Sequence, residues 1–400
     1  MSASGQRILL VGGGREALDL LQDARKLGLK VVNLNSRSHF KDSFIPLIEH
    51  ALITDYQDMA TVIPIVLAMH RVMPFDQVIS LSEAGLVPAA ELAEALGMPA
   101  NPLATVRMLK HKPLMRERLN EAGLSPVMAR EGHTLDDVRA FMAACGGSAI
   151  LKPADGASSF SVHRVDDPEQ ARVAVEAMRA AGLRSFLMEE YLDGPEISAE
   201  AFSFDGRHVV IAVTDKWTLD SHVEVGHAIP SSIDPDVRQE VVALVHAFLD
   251  VVGLRNGPSH TEIKLTSRGP RIIESHNRVG GDRINDLVNI AYGVNMKSMA
   301  LAWLCGCAEP LRAPPPAIAG AAIRFFTPAP GTVTAIEHED QVRAMPGFED
   351  MRITVRVGDV VRPVRSSDDR AGQVIARGGD VDEAIVRCER MRDALRIVTE

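Results

Sequence analysis

Apolar and polar positions alternate in a regular order along the first hundred residues. Short apolar runs at 8–11, 30–34, 51–54 and 77–81 have the length and branched side chains of buried strands. Between them, 59–70 and 83–96 carry apolar residues at helical spacing. Strands alternating with helices predict a parallel sheet wound with helices. The segment GMPANP at 97–102 breaks the pattern and reads as a boundary. Beyond it the pattern predicts helices at 112–122, closed by Gly123, and at 135–144. A strand at 149–152, a polar Gly/Ser loop, a strand at 161–165, a helix at 168–181 and a strand at 186–190 follow. The turn DGPE leads into strands at 197–204 and 209–214, then a helix at 235–252. Runs at 262–265 and 271–274 form a hairpin around TSRGP, and one long helix is expected near 286–305. The segment RAPPPAIAG at 312–320 reads as a linker before a mainly β tail with a terminal helix at 380–395.

Composition narrows the function. A chain of 400 residues holds two or three domains. The net charge of −10, with only 3 Tyr and 2 Trp, speaks against general nucleic-acid binding, which needs a basic stripe or aromatic platforms. No apolar run is long and uncharged enough to span a bilayer, and residues 1–6 are polar, so a cytoplasmic protein without membrane contact is expected. Cys145, Cys305, Cys307 and Cys388 form neither a disulfide framework nor a CxxC pair.

The first strand ends in Gly12-x-Gly14-x-x-Ala17, which fits a dinucleotide-binding turn. That fingerprint also wants an acid at the end of the second strand, where this chain has Asn33 and Asn35. Lys112 and Lys152 lie forty residues apart, and Lys152 precedes a loop of small residues able to cradle phosphate, though without the spacing of a P-loop. In MEEYLDGPEISAEAF, the acids Glu189, Glu190 and Glu196 suit either a charged edge strand or a nucleotide hinge with a ribose-binding acid. Glu262 and Glu274 stand on the two arms of the hairpin, where facing carboxylates need a cation between them. His276, Asn277 and Arg278 follow at once, and a guanidinium there can neutralise a transferring phosphoryl group. On these residues alone, a structural salt-bridged hairpin is an equal reading.

Taken in this order along nearly the whole chain, the motifs resemble the ATP-grasp superfamily of carboxylate–amine ligases. The resemblance implies an α/β and α+β protein with a Rossmann-like domain over 1–105 and a split ATP-grasp core over 106–315. About 114–188 would form its small lid half, and a β-rich domain over 316–400 would complete the core. The opening glycine turn is then no NAD site. By resemblance, Lys112 and Lys152 match the family's phosphate lysines. Glu189 and Leu192 match hinge residues whose main chain reads adenine, with Glu190 beside them, and Glu196 matches the ribose acid. Glu262 and Glu274 match the Mg2+ carboxylates and Arg278 the phosphate arginine of E-x-N-x-R. Here the place of that Asn is taken by His276, with Asn277 one step later, so either residue is a metal-ligand candidate; imidazole suits Mn2+ better than Mg2+. The loop GASSFSV is also poorer in glycine than usual.

The stretches VEVGHAIPSS and NRVGGDRI are similar to those of the dipeptide-forming L-amino acid ligases, relatives of bacilysin synthetase and carnosine synthase. This implies substrate-site roles for Glu224, His227, Gly280, Gly281 and Asp282, with Glu224, His227 and Arg278 as the catalytic set. The implied reaction joins a carboxylate to an amine through an acyl phosphate, using ATP and Mg2+ or Mn2+, with small-molecule amino acid or amine substrates as partners and a homodimer as the expected assembly. The alternatives are a biotin-carboxylase-like or purine-pathway ligase, or a non-catalytic nucleotide-binding module.

Overall fold

The structure is a computed structural model that describes residues 4–14, 17–154, 161–219 and 223–400. The described residues form four sheets. The first is parallel, in the spatial order His50–Ile53, Lys30–Asn35, Arg7–Val11, Gln77–Ile79. Its period-two pattern sends Ile8, Leu10 and Val31 towards helix Ala17–Lys26, and Leu9, Val11 and Val32 towards helices Met59–Val72 and Leu86–Ala95. Both faces are thereby covered, as a parallel sheet requires.

The second sheet is antiparallel, in the order Ala129–Gly132, Phe186–Glu190, Ala149–Lys152, His163–Val165. Helices Leu135–Cys145 and Pro168–Ala180 cover it through Val138, Phe141, Val175 and Met178. Thr134 and Asp137 close a reciprocal capping box at the start of the first of these helices.

The third sheet has eight strands in the order Gly269–His276, Gly257–Thr266, Glu196–Phe204, Arg207–Thr218, Glu224–Ile229, Gly320–Phe325, Gly372–Gly378, Phe348–Ile353. Alternation decides its chemistry. Ile197, Ala199, Val213, Ile263 and Ile272 pack with Val241, Val245 and Phe248 of helix Pro235–Val252. Their sequence neighbours Glu196, Ser198, Glu200 and Glu262 therefore face the other way, and Glu274, two residues beyond Ile272, joins them because the pairing register shifts between Ile263–Ile272 and Glu262–Glu274. A small sheet of Val360–Val361, Gly331–Glu337 and Arg396–Thr399 lies near the C-terminus.

One expectation fails. In place of a single helix over 286–305 there are two, Ile284–Tyr292 and Met296–Leu304. Gly293 ends the first at φ 68°, in the left-handed region that glycine enters freely. The Asn295 side chain then starts the second by accepting from the amides of Lys297 and Ser298. Among the described residues, no helix is long and apolar enough to cross a membrane.

Candidate active site

Glu262 and Glu274 are direct partners across their two strands. Each is met by a lysine from another element: Lys216 Nζ lies 2.7 Å from Glu262 Oε1, and Lys112 Nζ 2.9 Å from Glu274 Oε2. Burial resists ionisation of Glu262, but Lys216 and His260 hold it well below the usual carboxylate range against the opposing push of Glu274. Glu274 is likewise buried, and Lys112, His276 and Lys152 hold it low. His276 Nε2 lies 3.2 Å from Glu274, and its Nδ1 lies 3.3 Å from Glu83. Burial disfavours its imidazolium, yet the two acids raise its pKa above the ordinary value. Asn277 is not brought to the acids. It follows His276 at the strand end and lines a separate small cavity with Gln77, Asn101 and Asn256. Of the two candidates for the metal-side position, only His276 stands beside the carboxylates.

Arg278 donates from Nε to Glu83 Oε2 at 2.6 Å, and Lys110 Nζ lies 2.6 Å from the other oxygen of Glu83. Although burial opposes it, His276, Arg278 and Lys110 keep Glu83 strongly ionised. This acid comes from the loop after the first sheet and was not singled out by its motif.

Lys216 is the second residue that sequence reasoning missed. Its side chain is 1% exposed and its ammonium contacts Glu196 at 2.6 Å, Glu262 at 2.7 Å and Glu224 at 3.5 Å. Burial works against its charge, but the acids raise its pKa well above that of a free lysine. Beside it, His260 Nδ1 is 3.0 Å from the buried Glu200, and its Nε2 is 3.4 Å from Glu262. Burial disfavours this imidazolium too, and Glu200 overcomes that effect, raising the pKa to about 9. The available signal was a lysine and a histidine inside otherwise apolar strands, which burial tolerates only with partners.

Lys152 ends a strand of the second sheet, with Nζ 2.6 Å from Glu189 Oε2. Arg116, another residue missed, sits 2.7 Å from the other oxygen and is 1% exposed. The Glu189 side chain is thus the counter-ion of two cations. Glu190 points elsewhere: it accepts from the Met128 amide at 2.9 Å and pairs with Arg268 at 2.8 Å. Leu192 is buried just beyond this strand. The Lys112 amide donates to Ala154 O at 3.1 Å, which ties the helix start at Lys112 to the segment after Lys152. Most of the GASSFSV loop lies outside the described residues.

Two cavities meet at Arg278 and Gly281. One, about 290 Å3, is polar and includes Glu224, His227, Glu262, Glu274 and Asp282 among its lining residues. The other, about 460 Å3, is lined by the turn Gly12–Gly14 together with Leu20, Ser82 and Gly280. A side chain at Gly280 would meet His260 Nδ1 at 2.8 Å, so the backbone there passes close by virtue of glycine. His227 Nε2 is 3.1 Å from Asp282 Oδ2. The absence of a ribose acid after the second strand also finds its reason. Asn33 Nδ2 donates to Leu10 O at 3.1 Å and Asn35 Nδ2 to Gly13 O at 2.8 Å, so both amides brace the glycine turn.

The donor set fits a magnesium ion carried with phosphates. Two ionised carboxylates oppose each other, and each is paired with a lysine. Among the described residues, no group of three or more His, Cys, Asp or Glu is arranged to hold a metal by itself.

Comparison with known proteins gives three matching family models. Residues 146–286 match an ATP-grasp domain, 21–100 an ATP-grasp N-terminal domain, and 324–400 the L-amino acid ligase C-terminal domain 2. Alanine–anticapsin ligase of Bacillus subtilis is 29% identical over 254 residues, covering 58% of this chain and 54% of that protein. Human carnosine synthase 1 is 26% identical over 330 residues, covering 76% of this chain and 40% of that one. The chain thus spans about half the length of the first curated relatives it matches. In fold, it resembles the L-amino acid ligase of Bacillus licheniformis with a TM-score of 0.85 at 23% identity, over 99% of both chains. Residues 146–286 thus match an ATP-grasp domain, and the chain is similar to the L-amino acid ligases and the proteins that resemble them.

Proposed function

We propose that the chain is an ADP-forming ligase that joins the carboxylate of an amino acid to an amine. The observation that carries this reading is the opposition of two charged poles beside two adjoining cavities. Lys112, Lys152 and Arg278 form the cationic pole, and Glu262 and Glu274 the anionic one. Domain divisions at 1–105, 106–315 and 316–400 follow the same reading: the first sheet stands apart, while strands after 316 pair into the eight-stranded sheet, as a domain that completes the core would.

The substrate carboxylate oxygen attacks the γ-phosphorus of ATP, the bond to the β-phosphate oxygen breaks, and ADP leaves an acyl phosphate. Lys112, Lys152 and Arg278 compensate the charge on the phosphates. Glu262 and Glu274 would hold Mg2+, which would supply positive charge to the phosphoryl oxygens when bound. Glu189 and Leu192 take the adenine hinge and Glu196 the ribose. His276 supports Glu274 from its flank. The amine nitrogen then attacks the acyl carbon, the carbon–oxygen bond to phosphate breaks, and the nitrogen loses a proton. Glu224, which lines the polar cavity, accepts that proton after the attack, while His227, held through Nε2 by Asp282, lines the wall beside it. Gly280 and Gly281 let the substrate approach the backbone. The second sheet, carrying Lys152, closes over the site and keeps water from the acyl phosphate.

Glu274→Ala tests this directly. Amino-acid-dependent ADP release is expected to fall by at least about 10²-fold, on the scale of losing a metal or charge-stabilising group, with helix and sheet content unchanged by circular dichroism. Turnover at the wild-type rate with Mg2+ would remove the metal assignment.

A further inference from the structure

Arg370 reaches the polar cavity from the segment before strand Gly372–Gly378. Its guanidinium forms a two-pronged pair with Asp282, Nη2 to Oδ1 at 2.5 Å and Nη1 to Oδ2 at 2.8 Å. Nη1 also donates to Glu224 O at 3.1 Å and Nε to Ser367 O at 2.8 Å, and the group lies 3.7 Å over the Phe325 ring. The Arg370 side chain is 9% exposed. Such a planar fork, bonded along both edges and stacked on a ring, has one orientation. Asp282 is held just as firmly: its backbone takes φ 51°, and its second oxygen is shared between Arg370 and His227. Burial opposes its ionisation, but Arg370 and His227 keep it ionised. Asp282 therefore carries a full negative charge on the cavity wall, and Arg370 cancels it.

We infer that Arg370 is a specificity-determining positioning residue: by cancelling the charge of Asp282 it keeps the Asp282 face of this cavity neutral, apart from the carboxylates of Glu224 and Asp368 elsewhere on its lining, so the enzyme takes amino acids with uncharged side chains against that face. The inference rests on the ligase reading above. A wall that is neutral only because two opposite charges meet has a property that a simple packing role lacks. Removing either partner reverses the sign of the charge left behind. Arg370→Gln exposes the acid, and Asp282→Asn exposes the guanidinium.

The test is ADP release by the purified full chain with alanine, lysine or glutamate offered as substrate. For Arg370→Gln, the kcat/KM ratio of lysine to alanine is expected to rise at least about tenfold, as a charge facing an oppositely charged substrate in a partly buried site requires. For Asp282→Asn, the ratio of glutamate to alanine is expected to rise by a similar factor. The double variant is expected to bring both ratios back towards the wild type, and Arg370→Lys to lower kcat/KM without moving either ratio. The KM for ATP is expected to stay within about threefold throughout, because the pair acts on the second substrate. If Arg370→Gln fails to fold, Asp282→Asn carries the test alone. Folded single variants whose ratios stay at the wild-type values overturn the inference and leave the ligase reading standing. A wild-type protein whose ADP release responds to no amino acid removes the ligase reading, and the inference with it.

Discussion

Lys152 and Lys216 are both lysines buried in strands, yet the charge around them has opposite sign. At Lys152 two cations, its own ammonium and the Arg116 guanidinium, share the single carboxylate of Glu189. At Lys216 one ammonium serves the three carboxylates of Glu196, Glu224 and Glu262, with Lys264 3.5 Å from the first of them. The cluster at Glu189 therefore carries excess positive charge and the cluster at Lys216 excess negative charge. Phosphates suit the first and a divalent cation suits the second. Burial alone says only that each lysine needs a partner; in the proposed reading, the sign of what is left over assigns each cluster its part of a metal–nucleotide complex.

The strongest way to break this contrast is Lys216→Ala. Three carboxylates then lose their common cation. Removing one partner of a buried ion network costs about 3–5 kcal/mol, because the remaining charges stay uncompensated. A loss of that size is expected in urea unfolding of metal-free protein near neutral pH. Added Mg2+ should recover part of it by taking the place of the ammonium between the acids. A loss under about 1 kcal/mol that ignores Mg2+ would mean the acids are not in excess at all.

His260 sharpens the same contrast through pH. Its pKa in the folded protein, about 9, lies above the 6.5 of an ordinary histidine, so the folded chain binds the proton more tightly than the unfolded one. The resulting stabilisation is complete below about pH 6.5 and is lost as the pH rises through about 9. Metal-free protein is expected to lose on the order of 2–3 kcal/mol over that window. His260→Asn is expected to flatten the profile. An equally steep fall in the variant would place the titrating group elsewhere.

Much of this was legible in the chain, for reasons that differ between residues. The strands of the first sheet, the helix Pro235–Val252 and the acid hairpin follow directly from period and spacing, because burial of one face dictates them. The single helix expected near 286–305 was misjudged because its apolar spacing continues through a break set by Gly293 and Asn295. The strand Glu224–Ile229 was missed because a strand facing a polar cavity shows no clean alternation. The charged partners were the least visible. Glu83, Arg116, Lys216 and Arg370 belong to no motif, and each has a partner far away in sequence: Arg278, Glu189, Glu262 and Asp282 respectively. Spacing locates the acids that bind; only the fold reveals the cations that hold them.

The smallest expected effect belongs to Lys152→Ala, and its smallness is the point. Truncating this lysine leaves Glu189 paired with Arg116 at 2.7 Å, so no buried acid is stranded. The stability loss is expected to stay near about 1 kcal/mol, far below that of Lys216→Ala. What disappears is the excess positive charge. Lys152 is within electrostatic reach of Glu274, so it bridges the two poles when the sheets meet. Its loss should weaken ATP binding about tenfold by calorimetry, the scale of one charge-assisted contact, and slow ADP release alongside. Mg2+ should not restore stability here, since nothing anionic has been left without a partner. A variant that binds ATP as the wild type does would reduce Lys152 to a structural counter-ion of Glu189. A variant that loses as much stability as Lys216→Ala would show that the second sheet had no positive charge to spare, and the contrast between the two lysines would fall with it.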